Sequence, residues 1–244
     1  MTVQRSKGYR KFHTRLLYFR DDIETVEIID MNKELLAGEG KIFINVDKNF
    51  ARLNQRGCTS GSRKNVISHL KNSVYVSCIK ELYEEVILYF GYIFECSALT
   101  APDTHRLIGE QQDVKLTVNE ILAFNSREEI IASVMSQVFR RIENKRNTLL
   151  LITTLNERLA LGVDNKIIDA AMPYLEARHI FVHADGVADQ EYRKKYPMTK
   201  ITTRGKVSLD SNIIKEFIAT IESLVLAFEE KMAQFKYFPK GELE

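Results

Sequence analysis

The chain has 244 residues, of which 45% are hydrophobic and 28% are charged, a mixture that excludes disordered and fibrous proteins. Its 35 Lys and Arg nearly balance its 33 Asp and Glu, so a net charge of +2 excludes a general attraction to nucleic acid and leaves only local patches for anion binding. Four prolines and eleven glycines argue against a β-sandwich and against flexible linkers, and favour long helices.

The first half of the chain predicts two long amphipathic helices. Apolar residues recur three or four positions apart over residues 9–36 and again over residues 64–94. Between these helices, residues 41–46 predict a short β element and residues 54–62 predict a loop. Residues 97–125 are the least regular part of the chain, and we expect a loop that carries a short helix or strand.

Helix signals are clearer in the second half. Ser126 precedes Glu129 by three positions, which is the spacing of a capping box and predicts the start of a helix. The same periodicity predicts three further helices: residues 148–161, residues 165–183 and a last one from residue 210 onward. Pro173 predicts a kink or a restart in the second of these, Gly186 predicts its stop, and the tail after Phe238 is predicted to fray.

These elements predict an all-α fold with an N-terminal helical extension, and no internal repeat interrupts them. We expect a single domain over residues 1–244, with an N-terminal helical portion (1–125) and a second portion (126–238); the alternative is a division near residues 100–125. Three cysteines, Cys58, Cys78 and Cys96, leave one unpaired and favour a reducing cytoplasm. Neither a signal peptide nor a membrane span is expected, because no apolar run is long enough.

Two candidate sites in the first half have simpler explanations. The segment 57–64 combines glycines, hydroxyls and cations that could hold a phosphate at a helix N-terminus, but plain N-capping is the favoured explanation. Asp103, Asp113 and Lys115 match in letters a metal-dependent nuclease, in which two carboxylates hold a divalent ion. That chemistry places its acids on neighbouring strands, and a mostly helical chain makes this hypothesis the weaker one.

The strongest candidate site lies near the end of the helix predicted over residues 165–183. His179 and His183 are four positions apart and share one helix face, whereas Arg178 is rotated from His183 by roughly 140°. The two could converge if the helix loosens near Gly186, or if a second copy of the chain lays its own segment alongside. Imidazole can take up and release a proton near neutral pH, and guanidinium binds phosphate oxygens in a bidentate fashion.

A purely structural explanation of the same residues stays open. Arg178 could pair with an acid such as Glu176 or Asp185, and the histidines could cap the C-terminus of the helix, where cations are favoured. The sequence argues against a zinc site on His179 and His183, since no glutamate of the His-Glu-x-x-His kind lies between them. We expect no metal and no cofactor.

The segment 175–192 resembles the signature of the HEPN superfamily, whose name stands for higher eukaryotes and prokaryotes nucleotide-binding. That signature is an Arg, then a polar residue, then a few more residues, then a His. Arg178 and His183 match it with four residues between them, and His179 occupies the polar position. The turn that follows and the region of Tyr192 are similar to bacterial members of the superfamily, including those of the RiboL-PSP kind. The resemblance extends from about residue 126 through the last helix.

This resemblance implies a HEPN-like helical bundle that forms a homodimer, with the two motifs lining a common cleft, and a metal-independent endoribonuclease activity. It implies that His183 moves the proton of the ribose 2′-hydroxyl, that Arg178 stabilises the phosphoryl charge, and that His179 and Tyr192 support them. The products would be a 2′,3′-cyclic phosphate and a 5′-hydroxyl. Local cations after the motif are the candidates for RNA binding: Arg193, Lys194, Lys195, Lys200, Arg204 and Lys206.

The superfamily also suggests the biological setting and the main alternative. We expect a cytoplasmic protein that acts on RNA in prokaryotic defence or in a toxin–antitoxin system, with an antitoxin or another regulatory protein as partner. The alternative is a non-catalytic HEPN module that serves in dimerisation or regulation by binding a protein. Cleavage of RNA in the absence of metal separates the two, and sensitivity to chelation would favour the site of Asp103, Asp113 and Lys115 instead.

Overall fold

A computed structural model of the chain describes residues 4–32, 60–100, 104–110, 114–144 and 147–244. These residues are predominantly helical and contain isolated β-bridges but no β-sheet, which confirms the predicted all-α class. The β element predicted at residues 41–46 and most of the loop predicted at 54–62 lie outside the described residues, as does Cys58. The described helices are, in chain order, α1 (Lys7–Met31), α2 (Ser60–Thr100), α3 (Thr104–Ile108), α4 (Val118–Ala123), α5 (Arg127–Glu143), α6 (Thr148–Arg158), α7 (Asn165–His183), α8 (Gln190–Lys195) and α9 (Ser211–Gln234).

The centre of the fold is α2, which packs against α1, α5, α7 and α9. Phe90 of α2 is completely buried and meets the ring of Phe228 of α9 edge-on, with ring centroids 4.8 Å apart. Burying an aromatic or branched side chain stabilises a fold by roughly 1.5–3 kcal/mol. The core is therefore built around α2.

No described helix is both long enough and apolar enough to span a membrane.

Side chains that accept hydrogen bonds from backbone N–H groups begin several helices. Ser126 starts α5 as predicted, because its hydroxyl accepts from the N–H of Glu129 at 3.2 Å. The Glu129 carboxylate accepts from the N–H of Asn125 at 2.7 Å instead of from the N–H of Ser126, so only one of the two hydrogen bonds of a capping box is made. A complete capping box begins α4 instead, where Thr117 and Glu120 bond each other's backbone N–H. The sequence pattern did not identify this second start within the irregular segment.

The helix that carries the motif, α7, is continuous from Asn165 to His183. Pro173 lies inside it, so the predicted restart at this residue is wrong. Residues on both sides of the proline, Ala171 and Leu175, are buried in the same core, and tertiary packing therefore overrides the local preference of proline. The backbone carbonyl of Pro173 also accepts a hydrogen bond from the Tyr192 hydroxyl at 2.7 Å.

The C-terminal tail pairs with the start of the chain, so the predicted fraying after Phe238 is wrong. Arg5 donates from its backbone N–H to the carbonyl of Glu244 at 3.1 Å, and Lys7 donates in the same way to Glu242 at 3.0 Å. The Tyr92 hydroxyl, on α2, donates to the Glu242 carboxylate at 2.8 Å. These backbone bonds hold a polar tail that hydrophobic periodicity alone cannot predict.

A buried carboxylate joins α9 to the start of α1 beside this tail. Glu229 is 1% exposed and accepts hydrogen bonds from the Ser6 N–H at 2.5 Å, the Ser6 hydroxyl at 2.8 Å and the Tyr89 hydroxyl at 2.9 Å. Burial, and then the charge of Glu229, raises the pKa of Tyr89 well above its ordinary value, so this hydroxyl stays protonated and donates. We call Ser6, Tyr89 and Glu229 the junction cluster.

Candidate functional site

The helix α7 ends just before Gly186, the residue that the sequence predicts as its stop. His183 is the last helical residue, and the N–H groups of Ala184 and Gly186 both donate to the carbonyl of Ile180, at 2.9 and 3.1 Å. Gly186 has a φ of +81°, and a Cβ atom there would come within 3.0 Å of the Phe181 ring. Only glycine adopts this conformation without strain, which explains why the helix stops at this place.

Arg178, His179 and His183 line one open groove with a volume of about 740 Å³. Its walls come from α2, from the connection between α5 and α6, from α7 and from the region of α8. We call it the motif groove; its polar lining includes Tyr83, Glu84, Asn144, Asn147, Arg178, His179, His183 and Lys195. A single chain therefore brings all three motif side chains to one surface, although α7 remains helical through His183.

The two histidines of the motif are neighbours on the surface of α7. The ring centroids of His179 and His183 lie 4.7 Å apart and their planes are inclined by 49°. Both residues are exposed to solvent. Their contact follows from the four-residue spacing, which places side chains one above the other on a helix. Both imidazoles are accessible to a molecule that enters the motif groove.

Arg178 is held by two consecutive residues of α2. One of its terminal nitrogens, Nη2, donates to Glu84 Oε1 at 3.0 Å, and its guanidinium carbon lies 5.0 Å from the centroid of the Tyr83 ring. Its Nε is buried and has no hydrogen-bond partner in the part of the chain that the structure describes. The guanidinium thus keeps donors that an anion could use.

The structure corrects the alternative pairing suggested for Arg178. Glu176 accepts from Lys195 at 2.6 Å and Asp185 accepts from Lys206 at 2.6 Å, so neither acid is its partner. Arg178 does form an ion pair, as the purely structural explanation expected, but the acid in this pair is Glu84. Glu84 and Arg178 are 94 positions apart, so the sequence carries no local signal for this contact.

Tyr192 packs the segment that follows α7 onto that helix. It is 6% exposed, its hydroxyl donates to the Pro173 carbonyl, and its ring meets that of Tyr196 at 5.0 Å in an edge-on arrangement. Asp189 accepts from the Tyr192 N–H at 2.7 Å and caps α8. Burial raises the pKa of Tyr192 to about 12, which keeps its hydroxyl a donor. These contacts give it a supporting position beneath the motif.

Most of the cations predicted to bind RNA lie away from the motif groove. Lys195 lines it, paired with Glu176. Arg193 donates to the carbonyls of Ala188 and Gly205, at 2.9 and 3.1 Å, and so supports the loop after α7. Lys206 pairs with Asp185 outside the groove, and Lys194 and Arg204 also do not line it. Lys200 lies instead beside a smaller apolar pocket on another side of α7.

Among the described residues that line the motif groove, carboxylates outnumber permanent cations. Its lining contains Arg178 and Lys195 and the following acids: Glu84, Glu143, Glu176, Asp189 and Glu191. Two of these acids are neutralised by the ion pairs already described. The uncharged residues Asn144, Asn147 and Thr148 also line the groove. The groove therefore offers selected donors rather than a uniformly positive surface to a phosphate chain.

Two further sequence candidates cannot be placed. Asp103 and Asp113 lie outside the described residues, and Lys115 is exposed on the described segment that follows them. Within the described ranges, no group of three or more His, Cys, Asp or Glu is arranged to hold a metal ion. Gly57, Cys58 and Thr59 also lie outside the described residues, whereas Ser60 begins α2.

Comparisons with protein-family models, with curated proteins and with solved structures found no match for this chain. The resemblance to the HEPN superfamily therefore rests on the motif residues and the helical setting alone.

Proposed function

We propose that this chain is a metal-independent endoribonuclease of the HEPN type that acts in prokaryotic defence or in a toxin–antitoxin system. The observation that carries the proposal is the alignment of Arg178, His179 and His183 along one solvent-open groove. A permanently charged guanidinium and exposed imidazoles supply the two functions that cleavage of a phosphodiester needs, charge stabilisation and proton transfer.

In the proposed reaction, His183 accepts the proton of a ribose 2′-hydroxyl, whose oxygen attacks the adjacent phosphorus. The bond from phosphorus to the 5′-oxygen breaks, that oxygen takes up a proton from solvent water, and a 2′,3′-cyclic phosphate and a 5′-hydroxyl result, while His183 releases its proton to solvent. Arg178 donates hydrogen bonds to the phosphoryl oxygens as negative charge develops on them. His179, 4.7 Å from His183 between ring centroids, orients that imidazole.

A homodimer belongs to the proposal, with the motif of each protomer facing a shared cleft. Val182 and Val187, on either side of His183, are 39% and 41% exposed, which supports an interface beside the motif. RNA would contact Lys195 in the motif groove, with Lys194 and Arg204 outside it. An antitoxin or another regulatory protein would cover the same surface.

The test is incubation of the purified protein, in EDTA, with a mixed RNA pool and with a DNA pool of the same sequences. We expect cleavage of RNA alone, with 2′,3′-cyclic phosphate ends. Cleavage that EDTA abolishes would contradict the proposal and favour the metal site of Asp103, Asp113 and Lys115. Intact RNA after incubation with a folded dimer would contradict it in favour of a non-catalytic module.

The charges of the described residues that line the motif groove favour that module as the second candidate function. Among these residues, five acids against two permanent cations suit a basic segment of a protein partner better than the phosphates of RNA. Under this alternative Arg178 and the histidines contact the partner. Binding of a partner that is weakened by His183→Ala, together with intact RNA, is the result expected of the module.

A further inference from the structure

We propose that Glu84 is a positioning residue for Arg178, and that Glu84 and the Tyr83 ring hold the guanidinium ready to receive a phosphoryl group in the motif groove. This inference rests on the proposed function and identifies residues outside the motif that this function requires. Both residues come from α2, the central helix, so the groove includes a wall that the motif sequence does not encode.

The single hydrogen bond between Arg178 and Glu84 indicates that Glu84 positions the guanidinium and does not block it from a phosphate. A guanidinium carries five N–H donors, and carboxylates that occupy it fully do so with two parallel bonds. Glu84 makes a single bond, from Arg178 Nη2 at 3.0 Å. Among the described residues, no second acceptor bonds this guanidinium, and its Nε is buried. One carboxylate oxygen therefore fixes the side chain while other donors remain for phosphate oxygens.

Tyr83 supports the guanidinium from its flat face. The guanidinium carbon lies 5.0 Å from the ring centroid, within the range of a cation–π contact. The Tyr83 hydroxyl lies 3.4 Å from the hydroxyl oxygen of Thr148, at the start of α6. The ring is thereby tied to a second helix, and Arg178 is held between a carboxylate at its edge and an aromatic ring beneath it.

The negative charge of Glu84 has a second effect: it opposes the binding of the phosphate, whereas the hydrogen bond of Glu84 to Arg178 favours the reaction. Its side chain is 56% exposed, so water weakens its attraction to Arg178, and an incoming phosphate meets a negative charge beside its binding place. Removal of the charge should therefore help the phosphate to bind while it loosens the arginine that must stabilise the transition state. A merely structural role for Glu84 would not separate these two effects.

The experiment compares RNA cleavage by Glu84→Gln, Glu84→Asp and the wild type, with kcat and KM measured separately. We expect Glu84→Gln to lower kcat about tenfold, because small misplacements of catalytic groups are costly, and to lower KM as well. Glu84→Asp keeps the charge but loses the reach, so kcat should fall and KM should stay unchanged. Glu81→Gln is the matched control, since Glu81 is similarly exposed, at 49%, and bonds Arg15 at 3.2 Å away from the groove.

A nuclear magnetic resonance measurement tests the positioning of Arg178 independently of RNA cleavage. The Nε–H of Arg178, assigned by its loss in Arg178→Lys, should exchange slowly with water in the wild type and at least about tenfold faster in Glu84→Gln. If the wild type cleaves RNA and Glu84→Gln has an unchanged kcat, the positioning inference fails while the proposed function stands. If the wild type does not cleave RNA, the proposed function fails, and an unchanged exchange rate in Glu84→Gln would overturn the positioning as well.

Discussion

The junction cluster and the motif groove hold their charged side chains in opposite ways. Glu229 is almost fully buried and accepts three hydrogen bonds from neutral donors, so its charge is enclosed by the protein. Arg178 makes one bond to an exposed acid and keeps a buried Nε without a partner in the described residues. A polar group whose hydrogen bonds are all made inside the protein stabilises the fold, whereas a guanidinium that makes a single hydrogen bond beside a groove keeps N–H donors for a ligand. The comparison separates residues that maintain structure from residues that are free to act.

The largest effect on stability is expected at the junction cluster. Glu229→Ala leaves the donors of Ser6 and Tyr89 buried without an acceptor, and we expect it to lower the free energy of unfolding by about 3 kcal/mol. Urea denaturation followed by circular dichroism measures this change. The adjacent Glu230→Ala is the control, since its side chain is 59% exposed and pairs with Arg5 on the surface. Equal stabilities of the two variants would show that the enclosure of Glu229 has no energetic importance.

Arg178→Lys is expected to reduce RNA cleavage strongly, though less than complete removal of a motif side chain. Lysine keeps the positive charge but loses the planar fork of donors, so RNA cleavage should fall about 100-fold. Because the side chain is 32% exposed, unfolding by urea should change little. Full activity of this variant would contradict the role of the guanidinium geometry and would reduce Arg178 to a point charge.

A smaller effect on stability is expected at the start of α1. Ser6 caps this helix, since its hydroxyl accepts from the N–H of Tyr9 at 3.1 Å, and the same hydroxyl donates to Glu229. Ser6→Ala should lower the free energy of unfolding by about 1 kcal/mol, the usual value of an N-cap. Thr14→Ala in the same helix is a suitable control, because its exposed hydroxyl bonds only the preceding turn, at the carbonyl of Arg10. A loss as large as that of Glu229→Ala would show that Ser6, rather than the carboxylate, organises the cluster.

The smallest effects are expected for the cations near the motif. Lys195→Ala should weaken RNA binding and reduce the slope of log Kd against log salt by about one unit, because Lys195 lines the motif groove. Lys206→Ala should change neither quantity, since Lys206 pairs with Asp185 outside the groove. Titration of a labelled RNA at several salt concentrations measures both. An equal loss for the two lysines would place the path of the RNA over the loop after α7.

Local signals in the sequence predicted the elements that depend on nearby residues. The bounds of α7 and its stop at Gly186 followed from periodicity and from a glycine that adopts a positive φ. The start of α5 at Ser126 followed from the capping spacing. These features require contacts only within a few positions along the chain, which is why a single sequence was sufficient to find them.

Features that depend on distant residues could not be predicted. Glu84 and Arg178 are 94 positions apart, and Ser6 and Glu229 are 223 apart, so neither contact leaves a periodic pattern. Paired glutamates at residues 84 and 85 look like a solvated surface on a helix, but one contacts Arg178 and the other contacts Arg15. The motif could be found in the sequence, whereas the residues that hold it could be found only in the fold.

The central claim is that the motif groove cleaves RNA through His183. The most direct test compares RNA cleavage in EDTA by the wild type and by His183→Ala, with the mass in solution and the urea midpoint of each protein recorded. His183 is exposed, so the variant should keep the fold and the mass in solution of the wild type but lose at least about 100-fold in cleavage rate. Cleavage by a folded His183→Ala protein at the wild-type rate would contradict the account.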